Sequence, residues 1–329
     1  METETPPPNH EHELEHRREH ELALEQVGRK TLLRGLLAGG FTAAAFGLGG
    51  FLLLRDNTGA MGGVLFLLLP LASGFATALV ARRRNILIAS LIVGVLICAA
   101  VLLATGKEGL VCVLMAAPLL GVGLALGAVA GYLFRRFVLN RFRNPGILSL
   151  LVLLVAPLFL VGANSAEEPS RRTPRTETII NALVVDASPE TAWKVIKSMD
   201  SVHASKPLLM KLGLPVPTSC VLQKEAVGGK RTCYFDSGYI EETITEWDPP
   251  SSMKVAITAT NLPGIHWLTF KEASYEIKKE NGRTVITRST TIVSRLSPAW
   301  YWQRLESLGV ETEHEYLFEQ VRNEIGGVR

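Results

Sequence analysis

Five unbroken apolar runs dominate the first half of the chain, at 35–54, 62–81, 86–105, 110–134 and 146–163. None contains Asp, Glu, Lys, Arg or His. A bilayer core about 30 Å thick takes roughly 20 apolar residues as a helix. In lipid every backbone group must be satisfied internally, so such runs can only be helices. The pattern therefore predicts a five-helix transmembrane bundle within 31–163. None of the runs carries the polar face of a helix in a water-soluble core.

From Thr178 the pattern becomes that of a soluble α+β domain, predicted over 178–326. TIINALVVDA at 178–187 reads as a β-branched strand. Ser188 and Pro189 then supply an N-cap and a first helical residue, opening a helix with Trp193, Ile196 and Met199 on one side. A second short helix is expected at 205–212. Strands follow at 219–226 and 230–235, with Gly228-Gly229 read as a hairpin turn. Further strands are expected at 239–247, 253–260, 267–280 and 283–296, the last two turning at Asn281-Gly282. A helical region at 298–325, bent near Gly309, closes the chain.

Between the halves, NSAEEPSRRTPRTE at 164–177 has the composition of a linker. Residues 1–30 form a polar tail with His10, His12, His16 and His20 among glutamates, read as a solvated charged helix.

Composition sharpens this picture. Hydrophobic residues are 47% of the chain but aromatics only 7%. A net charge of +3, with the Arg clusters beside apolar runs, excludes nucleic-acid binding as the main reading. Arg17, Arg18, Arg29, Lys30 and Arg34 precede the first run, Arg82–Arg84 follow the second, and Arg135, Arg136, Arg141 and Arg143 follow the fourth. The positive-inside rule then puts the N-terminus in the cytoplasm. After five crossings the C-terminal domain lies on the external or periplasmic side of a plasma or inner membrane. Arg171, Arg172 and Arg175 oppose this bias, although Glu167, Glu168 and Glu177 surround them. Small residues at every fourth position (Gly35, Gly39, Ala43, Gly47 and Gly123, Gly127, Gly131) suit close helix packing, within the chain or in a homo-oligomer. No acidic, basic or histidine side chain lies inside the runs, which suits an anchor rather than an ion-coupled carrier.

The opening VVDASPETAWKVI (184–196), the central GGKRTCYFDSGYIEETITEWDPP (228–250) and the C-terminal helix resemble the SRPBCC, or START-like, superfamily of polyketide cyclase/dehydrase-type and lipid-transfer domains. The resemblance implies a helix-grip fold, in which a curved antiparallel sheet wraps a long C-terminal helix around an apolar cavity. It carries no fixed catalytic set.

Candidate site residues follow from face assignments. Glu242 shares its strand face with Ile240 and Ile244, so it points into the cavity if that face is inward. A buried carboxylate there needs a cation, Arg231 or Arg288. His314 lies on the stripe Val310, His314, Leu317, Val321 and Ile325, which should meet the sheet. Glu242, His314, Tyr275, Arg288, Leu317 and Val321 are thus expected around one cavity. Glu242 and His314 are also the acid/base candidates of an alternative reading as a cyclase or dehydratase. Cys220 and Cys233 fall out of register across a Gly228-Gly229 turn, so no disulfide is expected. No metal cluster, phosphate loop, catalytic triad or cofactor fingerprint can be assembled. The favoured reading is a non-catalytic module that binds or senses a hydrophobic small molecule (a lipid, isoprenoid or polyketide-like compound) beside membrane lipids. A structural or protein-interaction module is the third reading.

Overall fold

A computed structural model of the chain describes residues 32–54, 61–81, 83–104, 109–142, 144–171, 173–264 and 266–327. The His/Glu tail and the loop charges Arg55, Asp56, Arg82, Lys107, Glu108, Arg143 and Arg172 lie outside the described residues. The apolar runs form α1 (Leu32–Leu54), α2 (Val64–Val80), α3 (Arg84–Ala104), α4 (Leu110–Phe137) and α5 (Pro145–Arg171). Four of these are long and apolar enough to cross a membrane, whereas α2 is shorter. Among the described residues, four of the five expected spans therefore have the length of a full crossing.

The chain divides into two compact units. Of the described residues, the first holds those from Leu32 to Phe51, Leu69–Cys98 and Val122–Pro157. Small residues set its packing: Gly39 faces Ser90 and Gly94 faces Ala43, so the α1 stripe meets α3. Gly127 and Gly131 lie against the backbone of Leu71 and Phe75 on α2. A Cβ at Gly127 would collide with the Leu71 carbonyl, an approach that only glycine permits. Both small-residue stripes thus meet helices of the same chain. At the end of α2, Arg135 Nη1 donates to the carbonyls of Ala78 and Ala81 at 2.9 and 2.7 Å, which terminates the helix.

The second unit holds Leu52–Leu68, Ala99–Gly121 and Leu158–Arg329. Here α5 continues to Arg171 and the first strand starts at Arg175, so most of the expected 164–177 linker is regular structure. The reason is a contact distant in sequence. The Glu167 carboxylate accepts from Gly63 N–H at 2.5 Å and Val64 N–H at 3.1 Å, capping the start of α2. A polar segment that resembles a linker is thereby held as helix.

Seven strands follow: β1 (Arg175–Val185), β2 (Pro217–Leu222), β3 (Lys230–Phe235), β4 (Gly238–Asp248), β5 (Ser252–Thr260), β6 (Leu268–Glu280) and β7 (Arg283–Ser294). They form one antiparallel sheet ordered β1-β7-β6-β5-β4-β3-β2. Between β1 and β2 lie α6 (Pro189–Lys197) and α7 (Leu208–Lys211), the latter shorter than the expected 205–212. The Ser188 side chain accepts from Thr191 N–H and Pro189 begins α6, which buries Ala192, Trp193 and Ile196. α8 (Ala299–Gly327) runs uninterrupted through Gly309. Ile196, Met199, Ile244, Met253, Ile286, Tyr316 and Val321 form the centre of the core. A curved antiparallel sheet against a long C-terminal helix fits the helix-grip fold.

One local expectation fails instructively. Gly228 and Gly229 do not close the β2–β3 hairpin. Gly228 N–H donates to the Ile244 carbonyl and Ile244 N–H to the Gly229 carbonyl, each at 2.9 Å. The glycine pair is spent on β4, and residues 223–229 make a longer connection. Cys220 and Cys233 then stand directly opposite, with Cα atoms 4.0 Å apart, and are joined as a disulfide.

Candidate functional site

The inner sheet face and one stripe of α8 bound a cavity of about 140 Å³. Trp302, Leu305, Glu306, Gly309, Val310, Glu313 and Leu317 recur at intervals of one to four along α8 and form its helical wall. Cys220, Cys233, Phe235, Ile240, Ile257, Phe270 and Ala273 form much of its sheet wall. Gly109, Val111, Cys112 and Met115, at the start of α4, also line it, as do Leu214 and Leu262 from the loops beside the sheet. The Tyr301 hydroxyl donates to the Met115 carbonyl, and the Trp302 ring packs on Phe66 with centroids 4.7 Å apart.

Within this apolar shell sit two ion pairs. Arg231 on β3 and Glu242 on β4 are directly opposite in the ladder, and Nη1 donates to Oε2 at 2.8 Å. Arg288 on β7 donates from Nη2 to both Glu313 oxygens at 2.9 Å. The Arg288 guanidinium also lies over the Tyr275 ring, 4.9 Å from its centroid. Burial pulls the Arg288 pKa down and pushes the Glu313 carboxyl up, each opposed by its partner. Desolvating four charges is expensive, and it is tolerable only because each charge is matched at hydrogen-bond distance. Farther along α8, Glu306 accepts from Ser294 Oγ and pairs with Arg175. Burial raises its carboxyl pKa as well.

Glu242 and Arg288 both line the cavity, and so does Leu317. Three other expected residues lie off its wall. Tyr275 packs against Arg288, and Val321 is buried in the core. His314 is fully buried, with Nε2 at 2.7 Å from Thr290 Oγ1 and Nδ1 at 2.7 Å from Asn181 Oδ1. The expectation that Glu242 and His314 share one cavity is thus corrected. One residue of helix rotates a side chain by about 100°, and it is Glu313 that faces the cavity, while His314 turns to β1 and β7. Glu313 escaped the sequence reading because ETEHE at 311–315 looks like a solvated charged segment. Its signal was the seven-residue interval from Glu306, on the stripe of Gly309, Val310 and Leu317.

Burial, helped by Arg288, pushes the His314 pKa down to about 2, so the folded protein holds a neutral ring. An unfolded histidine titrates near 6.5. The unfolded state therefore binds the extra proton, and this residue's contribution to stability falls as pH drops below about 6.5. From pH 7.5 to 5 the loss amounts to roughly 2 kcal/mol. A His314→Gln variant should lose about that much less over the same range, measured by denaturation at each pH. Parallel curves for both proteins would show that the ring is protonated when folded.

No family model and no curated protein matches the chain. Solved structures similar to part of the chain include a START superfamily protein from Mycobacterium smegmatis, 11% identical, covering 44% of this chain and 97% of that one, with a TM-score of 0.33. Protein Ms6760 from the same organism is 14% identical over 48% of this chain and 98% of its own, with a TM-score of 0.30. The Aha1 dimer from Colwellia psychrerythraea is 15% identical over 35% and 75%, with a TM-score of 0.25.

Proposed function

We propose that the chain is a membrane-anchored module that binds a hydrophobic small molecule, such as a lipid, isoprenoid or polyketide-like compound. One observation carries this reading: residues of a helix apolar enough to cross a membrane, Val111 and Met115, share the cavity wall with the sheet and α8. An apolar molecule can pass from lipid to such a cavity with little exposure to water, which keeps its transfer cost low. A mostly apolar wall with a few placed polar groups is the usual make-up of a small-molecule site. The Cys220–Cys233 disulfide suits an oxidising compartment and so favours the external or periplasmic side for this part of the chain.

Native mass spectrometry of the full chain, released from mild detergent, should detect a bound apolar species. Ile257 lines the cavity without being fully buried, so Ile257→Trp should fill the space and leave the fold intact. The variant is expected to lose at least 90%, or roughly a factor of ten, of the bound species. Unchanged occupancy would place the ligand elsewhere or remove it from the account.

A further inference from the structure

The first turns of α8 and the segment that follows α7 are both held against the start of α4. The Tyr301 hydroxyl donates to the Met115 carbonyl. A Cβ at Gly213 would stand 3.5 Å from that of Leu110, and one at Gly309 would stand 3.7 Å from Leu214 Cδ1. α4 is 28 residues long, about 42 Å of helix against a hydrocarbon core of about 30 Å. Its excess length lies in the headgroup layers, and Leu110 to Met115 are its first residues. Whatever docks on those residues therefore sits at headgroup depth.

At that depth the two elements expose apolar side chains with cations among them. Trp300 and Leu208 are each 70% exposed, and Leu308 is exposed as well. Trp300, Arg304 and Leu308 follow at four-residue steps on one side of α8, and Lys206 and Lys211 flank Leu208. The three cations are exposed and make no ion pair among the described residues. From Ala299 to Gly309 the helix exposes no carboxylate, because Glu306 is buried against Ser294 and Arg175. Past Leu308 the same side carries Glu311, Glu315 and Glu319. The charge of the outer face thus reverses within about one turn.

Three physical preferences meet in this pattern. An indole is favoured at the level of lipid headgroups. Lysine and arginine are attracted to an anionic leaflet, and carboxylates are repelled by it. Leucines beside them lose their contact with water on entering the interface. A helix that begins on the bilayer and then leaves it needs this order of side chains, apolar and basic first, acidic afterwards.

We infer that α7 and the first three turns of α8 form a docking surface for anionic phospholipid headgroups. Trp300, Leu208 and Leu308 enter the interface, while Lys206, Lys211 and Arg304 meet the phosphates. The surface is separate from whatever the cavity holds, and it ties the orientation of this unit to the lipid composition of its leaflet.

The test uses the full chain, with Cys98 and Cys112 replaced and the Cys220–Cys233 bond kept, in nanodiscs of phosphatidylcholine alone or mixed with phosphatidylglycerol. Single nitroxide labels are placed at Leu208→Cys, at Leu308→Cys and, as a reference, at Val227→Cys, exposed in the connection tied to α6 through Lys197 and Glu225. Collision with oxygen and with a water-soluble nickel chelate reports immersion. In the mixed discs the labels at 208 and 308 should meet more oxygen and less nickel than the label at 227. Lys206→Gln, Lys211→Gln and Arg304→Gln should each lower the ratio of immersed to exposed label by about fivefold, the scale of one basic side chain at an anionic surface. A label at 208 and 308 as water-exposed as that at 227 overturns the inference. Shielding from both reagents also overturns it, since that marks a protein contact. Equal immersion in the two lipid mixtures, unmoved by the three substitutions, overturns the assignment to anionic headgroups. If a labelled variant fails to fold, brominated phosphatidylglycerol decides on unlabelled protein: it should quench tryptophan fluorescence, and Trp300→Phe should remove a large part of that quenching. Quenching unaltered by Trp300→Phe overturns the placement of α8.

Discussion

Full-length chain carrying Arg231→Met will lose roughly 3–5 kcal/mol of stability in the part that holds the sheet, the usual consequence of stranding a buried charge. Arg231 is 3% exposed and Glu242 7%, so removing the guanidinium leaves a buried carboxylate without its hydrogen-bonded cation. The paired change Arg231→Met/Glu242→Leu removes both charges together and should lose far less, because apolar groups of similar volume can replace a buried pair at little net cost. The measurement is favourable in this protein. All five tryptophans, at 193, 247, 267, 300 and 302, lie in the C-terminal half. Tryptophan fluorescence during denaturation of the whole chain in detergent therefore reports on the unit that matters. Equal losses in the single and paired variants would mean that Glu242 finds water or another partner when Arg231 is gone.

How much of this was readable beforehand depends on the range of the interactions involved. The order of strands and helices was legible from Thr178 onward, since period-two alternation and the Ser188-Pro189 cap are local signals. The buried position of Glu242 was legible for the same reason, because its strand neighbours Ile240 and Ile244 declare the face. Its choice of Arg231 over Arg288 was not, since only the β3–β4 register puts Arg231 directly opposite. Long-range contacts defeated two other local signals. Gly228-Gly229 looks like a tight turn until Ile244 takes its hydrogen bonds, and 164–171 looks like a linker until Glu167 caps α2. The wall contributed by α4 had no signal at all, because Val111 and Met115 are indistinguishable from lipid-facing residues in an apolar run. Sequence periodicity locates a residue on a face; it does not say what that face meets.

Breaking the Cys220–Cys233 bond will destabilise the same unit by about 3 kcal/mol, the loop-closure scale for a short cross-link. The two residues are 13 apart in sequence and directly opposite on β2 and β3. β2 is the edge strand of the sheet, paired with β3 on one side and bonded through Thr218 and Cys220 to Val202 and Met199 on the other, so the bond reinforces an edge that the chain already covers. A Cys220→Ala/Cys233→Val variant, which avoids burying new polar groups, should show the loss in fluorescence-monitored denaturation. A difference under about 1 kcal/mol would mean that strand pairing alone fixes the edge. The bond also bears on which side of the membrane this half occupies. Thiols in the cytosol are kept reduced in most organisms, whereas external and periplasmic ones oxidise. In a background with Cys98 and Cys112 replaced, protein taken directly from cells into an alkylating denaturant should gain label at Cys220 and Cys233 only if reductant is added first. Label incorporated without reductant would put the pair in a reducing compartment and move the C-terminal half to the cytoplasmic side. Oxidised cysteines would instead agree with the charge bias of the loops, and two unrelated physical signals would then support the same topology.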